Sequence, residues 1–390
     1  MDSKVAVLIA SDYYSPHWTG IVKAVSNLVK CLSDVCRLSV LTVRYDPKLL
    51  PEETIDGARV IRCPPVFRVS RASYSLSAVF RCFKEMAHHD VLLINSPCTN
   101  VLPYALAAKL RGKRVVIFHQ GDLTLRAGFV NRCIELVFLF STLGGFALAD
   151  TVSTYTEDYA KQSRVLKWFL SKFRPMLMPM LPRAMPDAHP NSVLPMLELK
   201  SQSKVLFGFA GRFVYEKGFD VLFRAIPELV MRVPNAHFVF AGETRIAYED
   251  FFSECHADFE RARKHITMLG LLPEHELWSF YRLIDFVAVP SRSDCFPLVQ
   301  MEACLCGKPT VVTDIPGARY LQQVTGFGVV CKPNDEADLV SKLAAVIEQR
   351  AVLMERYPAV LKFLDLDAVV KNCVSVISGA GTAGSKQHQP

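Results

Sequence analysis

The residues best placed to do chemistry are two cations and two carboxylates, each pair lying just past an apolar run of strand length. The cations sit in Gly211-Arg212-Phe213-Val214-Tyr215-Glu216-Lys217-Gly218, between the run Val205–Ala210 and a helical pattern from Phe219 to Val230. A strand-to-helix turn offers unpaired backbone amides and the positive end of a helix, surroundings that suit a diphosphate. Arg212 adds a planar fork for phosphate oxygens and Lys217 a point charge. The segment is not a Walker loop, because G-x-x-x-x-G-K-[ST] is absent. Read alone, Gly-Arg and Lys-Gly are also common turn pairs.

The carboxylates belong to a second segment, Pro290 to Val312. Asp294 falls in the loop after the strand-like run Phe286–Val289. Glu302, with seven residues between, falls on the helix that follows. Placed on different elements, the two can reach one ligand. Carboxylates suit sugar and ribose hydroxyls because each accepts two donors. The spacing alone fits equally a loop acid and a solvated helix acid that share nothing.

The elements that must position these groups repeat an α/β pattern. In the first half Val5–Ala10, Leu38–Val43, Arg59–Cys63, Val91–Ile94 and Arg114–Phe118 are strand-sized and rich in Val, Ile and Leu. Val22, Val25, Val29 and Leu32 recur at helical spacing between the first two. Nearly continuous apolar strands alternating with helices imply a parallel sheet covered on both faces. Prolines 175, 179, 182, 186, 190 and 195 then read as a short strand and a linker, with a boundary near residues 183–200. The pattern restarts with Val205–Ala210, His237–Ala241, Ile266–Leu269, Phe286–Val289, Thr310–Thr313 and Gly328–Val330. Residues 337–378 read as mostly helical with a break at Pro358, and 379–390 as a disordered tail. The expected domains are 1–185 and 200–365, with a helix over 366–378 crossing back to the first. Two open parallel sheets in tandem place ligands at strand C-termini, so a cleft between the domains is expected.

With 390 residues, 51 % hydrophobic and 21 % charged, the chain is long enough for two globular domains and too apolar to be disordered. The twelve cysteines contain no C-x-x-C. Free thiols, which suit a reducing cytosol, are therefore expected instead of disulfides or a metal site. The opening apolar run, Val5–Ala10, is too short for a secretory core. The longest greasy stretch, Ile134 to Ala149, is interrupted by Glu135, Ser141, Thr142, Gly144 and Gly145 and reads as a buried helix.

The two segments together resemble the retaining glycosyltransferases of the GT-B fold. That family's pattern is Pro-Ser, a few residues, Glu, seven residues, Glu-Ala, then Gly-x-Pro-Val-Val. It is met from Pro290 to Val312, with Asp294 for the first Glu and Thr310 for a Val. Its Gly-Arg…Glu-Lys-Gly is matched from Gly211 to Gly218. Its N-terminal Pro-x-x-Gly-Gly is matched by Pro16-His17-Trp18-Thr19-Gly20, with Thr19 for the first Gly, and a His after a strand by His119. The resemblance covers roughly residues 4–378. It implies two Rossmann-like, doubly wound parallel-sheet domains facing across a cleft, and transfer of a hexose from a UDP- or GDP-sugar with retention and without a metal or cofactor.

On that likeness Arg212 and Lys217 stabilise the donor diphosphate, Glu302 binds the ribose, and Asp294 contacts the transferred sugar. The backbone around Phe296 and Leu298 faces sugar hydroxyls. Gly20 and Gly211 let backbone approach the donor, the stretch near Leu269 meets the base, and His119 bonds the sugar or the acceptor. The sequence agrees on the metal in one respect: its single Asp-x-Asp, Asp365-Leu366-Asp367, lies far from these segments. Asp294 is one methylene shorter than the family Glu. Two other readings therefore stay open, a sugar-nucleotide 2-epimerase and a catalytically weak sugar-nucleotide-binding protein.

The family places acceptor contacts in the first domain, and that is where the positive charge lies. Residues 1–190 carry 24 Lys and Arg against 15 Asp and Glu, a net of +9; the remainder is −2. Arg68, Arg71, Arg81 and Lys84 cluster in one stretch. Lys161, Arg164, Lys167, Lys172 and Arg174 interleave with Leu166, Trp168, Phe169 and Phe173 in another. The second reads as an amphipathic helix that either packs into the domain or lies on an anionic membrane. A glycan or lipid-linked acceptor is expected, in the cytoplasm or at the inner face of a membrane. No nucleic-acid readout module accompanies the basic residues.

Overall fold

Runs of Val, Ile, Leu and Phe without a polar face can be buried on both sides only in a sheet with helices above and below, and the chain builds two of them. The computed structural model describes residues 4–17, 19–69, 72–123, 128–182, 190–246 and 249–380. It divides into two units, Met1–Pro179 with Leu366–Pro390, and Met180–Asp365.

In the first unit, strands β1 (Ala6–Ala10), β2 (Arg37–Val43), β3 (Glu52–Ile55) and β4 (Ala58–Cys63) precede a small antiparallel hairpin of β5 (Phe67–Val69) and β6 (Ala72–Tyr74). Strands β7 (Val91–Ser96), β8 (Arg114–His119) and β9 (Thr151–Ser153) complete a seven-stranded sheet in the order β3-β4-β2-β1-β7-β8-β9. All its pairs are parallel except β3 with β4. That hairpin turns on Asp56-Gly57, both at positive φ (52° and 81°), the two-residue geometry whose twist matches the flanking strands. The unit's helices are α1 (Gly20–Leu32), α2 (Leu76–Glu85), α3 (Val101–Leu110), α4 (Phe129–Leu148) and α5 (Glu157–Gln162).

The second unit has six strands: β10 (Val205–Ala210), β11 (Ala236–Ala241), β12 (Ile266–Gly270), β13 (Phe286–Val289), β14 (Thr310–Thr313) and β15 (Gly328–Cys331). They form one wholly parallel sheet in the order β12-β11-β10-β13-β14-β15. Its helices in chain order are α6 (Leu194–Ser201), α7 (Phe219–Arg232), α8 (Phe251–Glu254), α9 (His256–Ala262), α10 (Glu274–Leu283), α11 (Leu298–Leu305), α12 (Tyr320–Thr325), α13 (Glu336–Glu348), α14 (Arg350–Glu355) and α15 (Tyr357–Phe363). One face is packed by phenylalanines from the strands, from α7 and from the loop between β10 and α7. Phe207 stacks on Phe238 at 5.0 Å, and Phe213 lies 4.9 Å from Phe219. The last helix, α16 (Leu366–Ser378), belongs to the first unit. There Arg114 donates to the Ile377 carbonyl at 3.1 Å, and the Cys373 thiol to the Leu177 carbonyl at 3.1 Å.

Three expectations need correction. The greasy stretch after Ile134 is a helix, α4, but not a buried one: Leu136, Val137 and Phe140 are exposed. Its two glycines are tolerated because Gly144 and Gly145 face Leu102 and Val101 of α3, where a Cβ at Gly145 would come within 2.4 Å of the valine. The stretch 161–174 is not one amphipathic helix; it breaks into the end of α5 and two 3-10 turns, Leu166–Trp168 and Leu170–Lys172. The presumed linker includes α6, whose first turn holds Pro195 where the missing amide is harmless and whose Met196 is buried in the second core. The break expected at Pro358 is present: α14 ends at Glu355, and α15 begins at Tyr357 with Pro358 in its first turn. Trp18, Arg71, residues 183–189 of the linker and 381–390 of the tail lie outside the described residues, as does the Arg68 side chain.

Candidate functional site

The second sheet changes direction beside its central strand. From β10 the chain adds β11 and β12 on one side, then returns to add β13, β14 and β15 on the other. The carboxyl ends of β10 and β13 therefore flank a switch point, the place where open α/β sheets bind ligands. Both motifs open there: Gly211–Gly218 follows β10, and Pro290–Pro297 follows β13.

Packing decides which side chains of the first loop reach solvent. Phe213 and Val214 are buried against the phenylalanine cluster, which anchors the loop and leaves Arg212, Glu216 and Lys217 toward its surface. Gly218 ends the loop at φ +66°. A Cβ there would lie 1.9 Å from the Pro290 carbonyl oxygen, so only glycine lets the two loops touch.

Lys217 Nζ donates to Asp294 Oδ2 at 2.6 Å, joining the cation of one motif to the first carboxylate of the other. Burial pulls the lysine pKa down, but Asp294 and Glu216 outweigh it, and the ammonium titrates above its ordinary value. Arg212 donates to Glu216 Oε1 at 2.9 Å, one turn along. Glu302, on α11, is 2 % exposed and accepts from the Tyr281 hydroxyl of α10 at 2.7 Å. Burial, and then the Glu302 charge, raise the Tyr281 phenol well above its usual range, so it stays a donor. Phe296 is buried, Leu298 opens α11, whose first amides have no intrahelical acceptor, and Leu269 is half-buried near the end of β12. Arg212, Lys217, Asp294, Gly211, Phe296, Leu298, Glu302 and Leu269 thus all belong to the carboxyl edge of one sheet and the helix behind it.

The residue that fastens this edge was missed by sequence reasoning. Arg292 forms a two-pronged pair with Asp220 of α7, both bonds 2.7 Å, and donates to the Tyr215 carbonyl at 2.7 Å. Its guanidinium also lies 4.2 Å from the Tyr215 ring centre. Burial raises the Asp220 carboxyl, but bonds from Arg292 and Arg224 bring it below its ordinary value. Arg292 lies within the motif already singled out, but nothing in the sequence pairs it with an acid 72 residues away.

His119 and Gly20 belong to the first unit, again at the carboxyl edge of a sheet that reverses beside its central strand, here β1. His119 ends β8, 2 % exposed, with Nδ1 3.0 Å from Ser96 Oγ and Nε2 3.1 Å from Asp122 Oδ1. An ionised Asp122 fixes the tautomer: Nε2–H donates to it and Nδ1 accepts from the serine. Burial raises the Asp122 carboxyl, and hydrogen bonds from His119, Arg164 N–H and Ser163 bring it below its usual range. Gly20 starts α1, where the preceding Thr19 hydroxyl accepts from Val22 N–H at 3.2 Å; the threonine in place of glycine is a helix cap. A cavity of about 520 Å³ opens beside His119. Asp122, Arg132, Glu135 and Arg164 supply its polar lining, and Phe129, Leu136, Phe138 and Leu139 of α4 its apolar wall.

Residues 198–358, nearly the whole second unit, match the family profile described as glycosyl transferases group 1. Through this unit the chain resembles the group 1 glycosyltransferases. Among curated relatives, the glycogen synthase of Mycobacterium tuberculosis is 28 % identical over 190 residues, 47 % of this chain and 44 % of that one. A D-inositol 3-phosphate glycosyltransferase of Catenulispora acidiphila is 32 % identical over 155 residues, 37 % and 36 % of the two chains. The chain thus matches less than half the length of these relatives. Two solved structures extend the likeness to both units and show the GT-B fold. Anabaena HepE in complex with UDP-glucose aligns with TM-score 0.73 at 15 % identity, covering 96 % of this chain and 99 % of that one. Sucrose-phosphate synthase from Thermosynechococcus elongatus aligns with TM-score 0.74 at 15 % identity, covering 98 % and 100 %.

Proposed function

We propose that the chain is a group 1 glycosyltransferase that moves a hexose, with retention of configuration, from a UDP- or GDP-sugar to a hydroxyl of a glycan or lipid-linked acceptor. The observation that carries the reading is the ion pair Lys217–Asp294 across the switch point, with Arg212 beside it. A donor diphosphate entering there exchanges the acids for phosphate oxygens. Arg212 and Lys217 then neutralise the charge that grows on the leaving diphosphate as its bond to the sugar breaks. Such preorganised charge is worth about 3 kcal/mol or more per group in a site that excludes water. Two fixed cations and the amide end of α11 supply the charge that a divalent ion supplies in other transferases, so the reaction proceeds without one.

Glu302, oriented by Tyr281, takes the ribose hydroxyls, and the stretch around Leu269 meets the base. Asp294 and the backbone at Phe296 and Leu298 meet the transferred sugar, while Gly211 and Gly20 let backbone come close to the donor. The cavity beside His119 receives the acceptor; direct contact of Nε2 with a sugar hydroxyl requires it to give up Asp122. In support, HepE is described in complex with UDP-glucose.

The test is incubation with UDP- and GDP-sugars, with and without a chelator. Slow release of nucleotide and free sugar, unchanged by the chelator, is expected. A 2-epimer as product would replace the transferase with an isomerase. The hold of Lys217 on the shorter Asp294 favours one second reading, a protein that binds sugar nucleotides with weak turnover. On that reading Asp294→Glu raises turnover and wild type shows tight binding alone.

A further inference from the structure

We infer that the outer face of α4 is a docking surface that seats the first unit on an anionic lipid bilayer. Phe129, Cys133, Leu136, Val137 and Phe140 recur at helical spacing along one side of α4, and all are exposed. Phe129 is 85 % exposed, Val137 72 % and Phe140 69 %. A helix packed on a water-soluble unit should turn a polar face outward; on α4 the exposed Phe129 and Leu136 border the mouth of the cavity, and Cys133, Val137 and Phe140, outside its lining, carry the apolar face on into solvent. The neighbouring 3-10 turns continue the surface. Phe169 meets Phe146 of α4 at 5.7 Å, and Lys172 Nζ caps the helix by donating to the Ala147 and Ala149 carbonyls at 2.7 and 2.9 Å. These contacts hold Trp168, 71 % exposed, next to α4.

Charge selects the occupant. Arg132, Arg164 and Lys167 are exposed around the apolar side chains, and Lys167 Nζ lies 5.5 Å from the Trp168 ring centre. Residues 1–190 carry a net +9. A second copy of the chain would bring the same cations against these, whereas an anionic bilayer neutralises them and accepts tryptophan at its headgroup level. Among the described residues no helix is long and apolar enough to cross a membrane, so the contact is peripheral. The inference deepens the proposed function, on which it rests for one step: the cavity behind α4 then takes an acceptor carried by a lipid.

The test is sedimentation of the full chain with vesicles of phosphatidylcholine, alone or mixed with phosphatidylglycerol. Binding to the mixed vesicles, at least tenfold weaker to the neutral ones and reduced by salt, is expected. Val137→Asp with Phe140→Asp, both exposed, should cut that binding at least tenfold and leave circular dichroism and the thermal shift by UDP- or GDP-sugars unchanged. Wild-type chain that ignores mixed vesicles, or a double variant that binds like wild type, overturns the inference. So does a dimer in light scattering that the double variant converts to a monomer. Loss of nucleotide-sugar binding in the wild-type chain would instead remove the proposed function and leave the vesicle result standing.

Discussion

The two sheets share a plan and differ in what they hold at their carboxyl edges. In the second unit the edge is ionic and cross-linked: Lys217 to Asp294 and Arg292 to Asp220 both tie the turn after β10 or the start of α7 to the loop after β13. In the first it is mostly neutral and buried. Asn95 donates to Ser11 at 3.1 Å, Gln120 to Asn95 at 2.5 Å and Tyr155 to Gln120 at 3.0 Å, while His119 is held between Ser96 and Asp122. Formal charge at fixed points strengthens phosphate recognition beyond what neutral amides give. An acceptor site can be built from neutral donors and apolar walls, and the contrast follows if one unit holds the donor and the other the acceptor.

The sharpest way to break that contrast is Lys217→Ala. It should lower turnover by about 100-fold or more, while the folded state loses far less, because Asp294 is partly exposed and water can replace the ammonium. Steady-state rates beside thermal midpoints measure both. A variant with wild-type rates would remove the electrostatic role. The corresponding change in the first unit, Asp122→Asn, should raise the acceptor KM and leave nucleotide-sugar binding unchanged, since its partners are His119, Ser163 and Arg164.

Arg292→Ala tests fastening instead of chemistry. It leaves Asp220 buried with only Arg224, 3.1 Å away, as a charged partner. The expected loss is about 3 kcal/mol of stability, at the lower end for a broken buried pair because one cation stays. Urea denaturation reads it directly; a change under 1 kcal/mol would show that the pair fastens nothing.

Acid should weaken the second unit over a defined interval. His237, on β11, is buried with Nε2 2.9 Å from Thr267 Oγ1, and burial, then Lys204 and His265, pull its pKa down to about 4. The folded value lies below the ordinary 6.5, so the neutral ring stabilises the fold above pH 6.5, and that stability is lost as the pH falls from there toward 4. By linkage the loss reaches roughly 3 kcal/mol when complete. His237→Gln should flatten the pH dependence of the second unit's unfolding over that interval; an unaltered profile would assign the acid sensitivity elsewhere.

The strands of both sheets were legible because a parallel strand buried on both faces must be almost wholly apolar, and β10, β13 and β14 coincide with the runs read from the sequence. The edges were harder. Strand β3, Glu52–Ile55, is polar and exposed on alternate residues, and its only signal is the Asp56-Gly57 turn. At the site, Arg212, Lys217, Asp294 and Glu302 were readable because they sit in contiguous motifs. Arg292 with Asp220 and Glu302 with Tyr281 were not, since a contact made across a sheet leaves no spacing rule in the chain. The exposure of α4 was misjudged for a related reason: apolar composition fixes a preference for leaving water, not the surface that satisfies it.

The smallest expected effect concerns the one motif position where the first unit departs from glycine. Thr19 stands where the family has Gly, and its hydroxyl accepts from Val22 N–H at the start of α1. Thr19→Ala removes that acceptor and should lower stability by about 1 kcal/mol, whereas Thr19→Gly, which restores the family residue, should cost only a few tenths. If the loop before α1 must also bring backbone close to a donor phosphate, Thr19→Gly will lower the KM for nucleotide sugar even as it slightly weakens the fold. If the threonine serves only the helix, the KM will not move, and the two variants will differ in stability alone. Thermal midpoints and donor KM on the same two proteins separate these outcomes, because a cap acts on the folded state whether or not a donor is present.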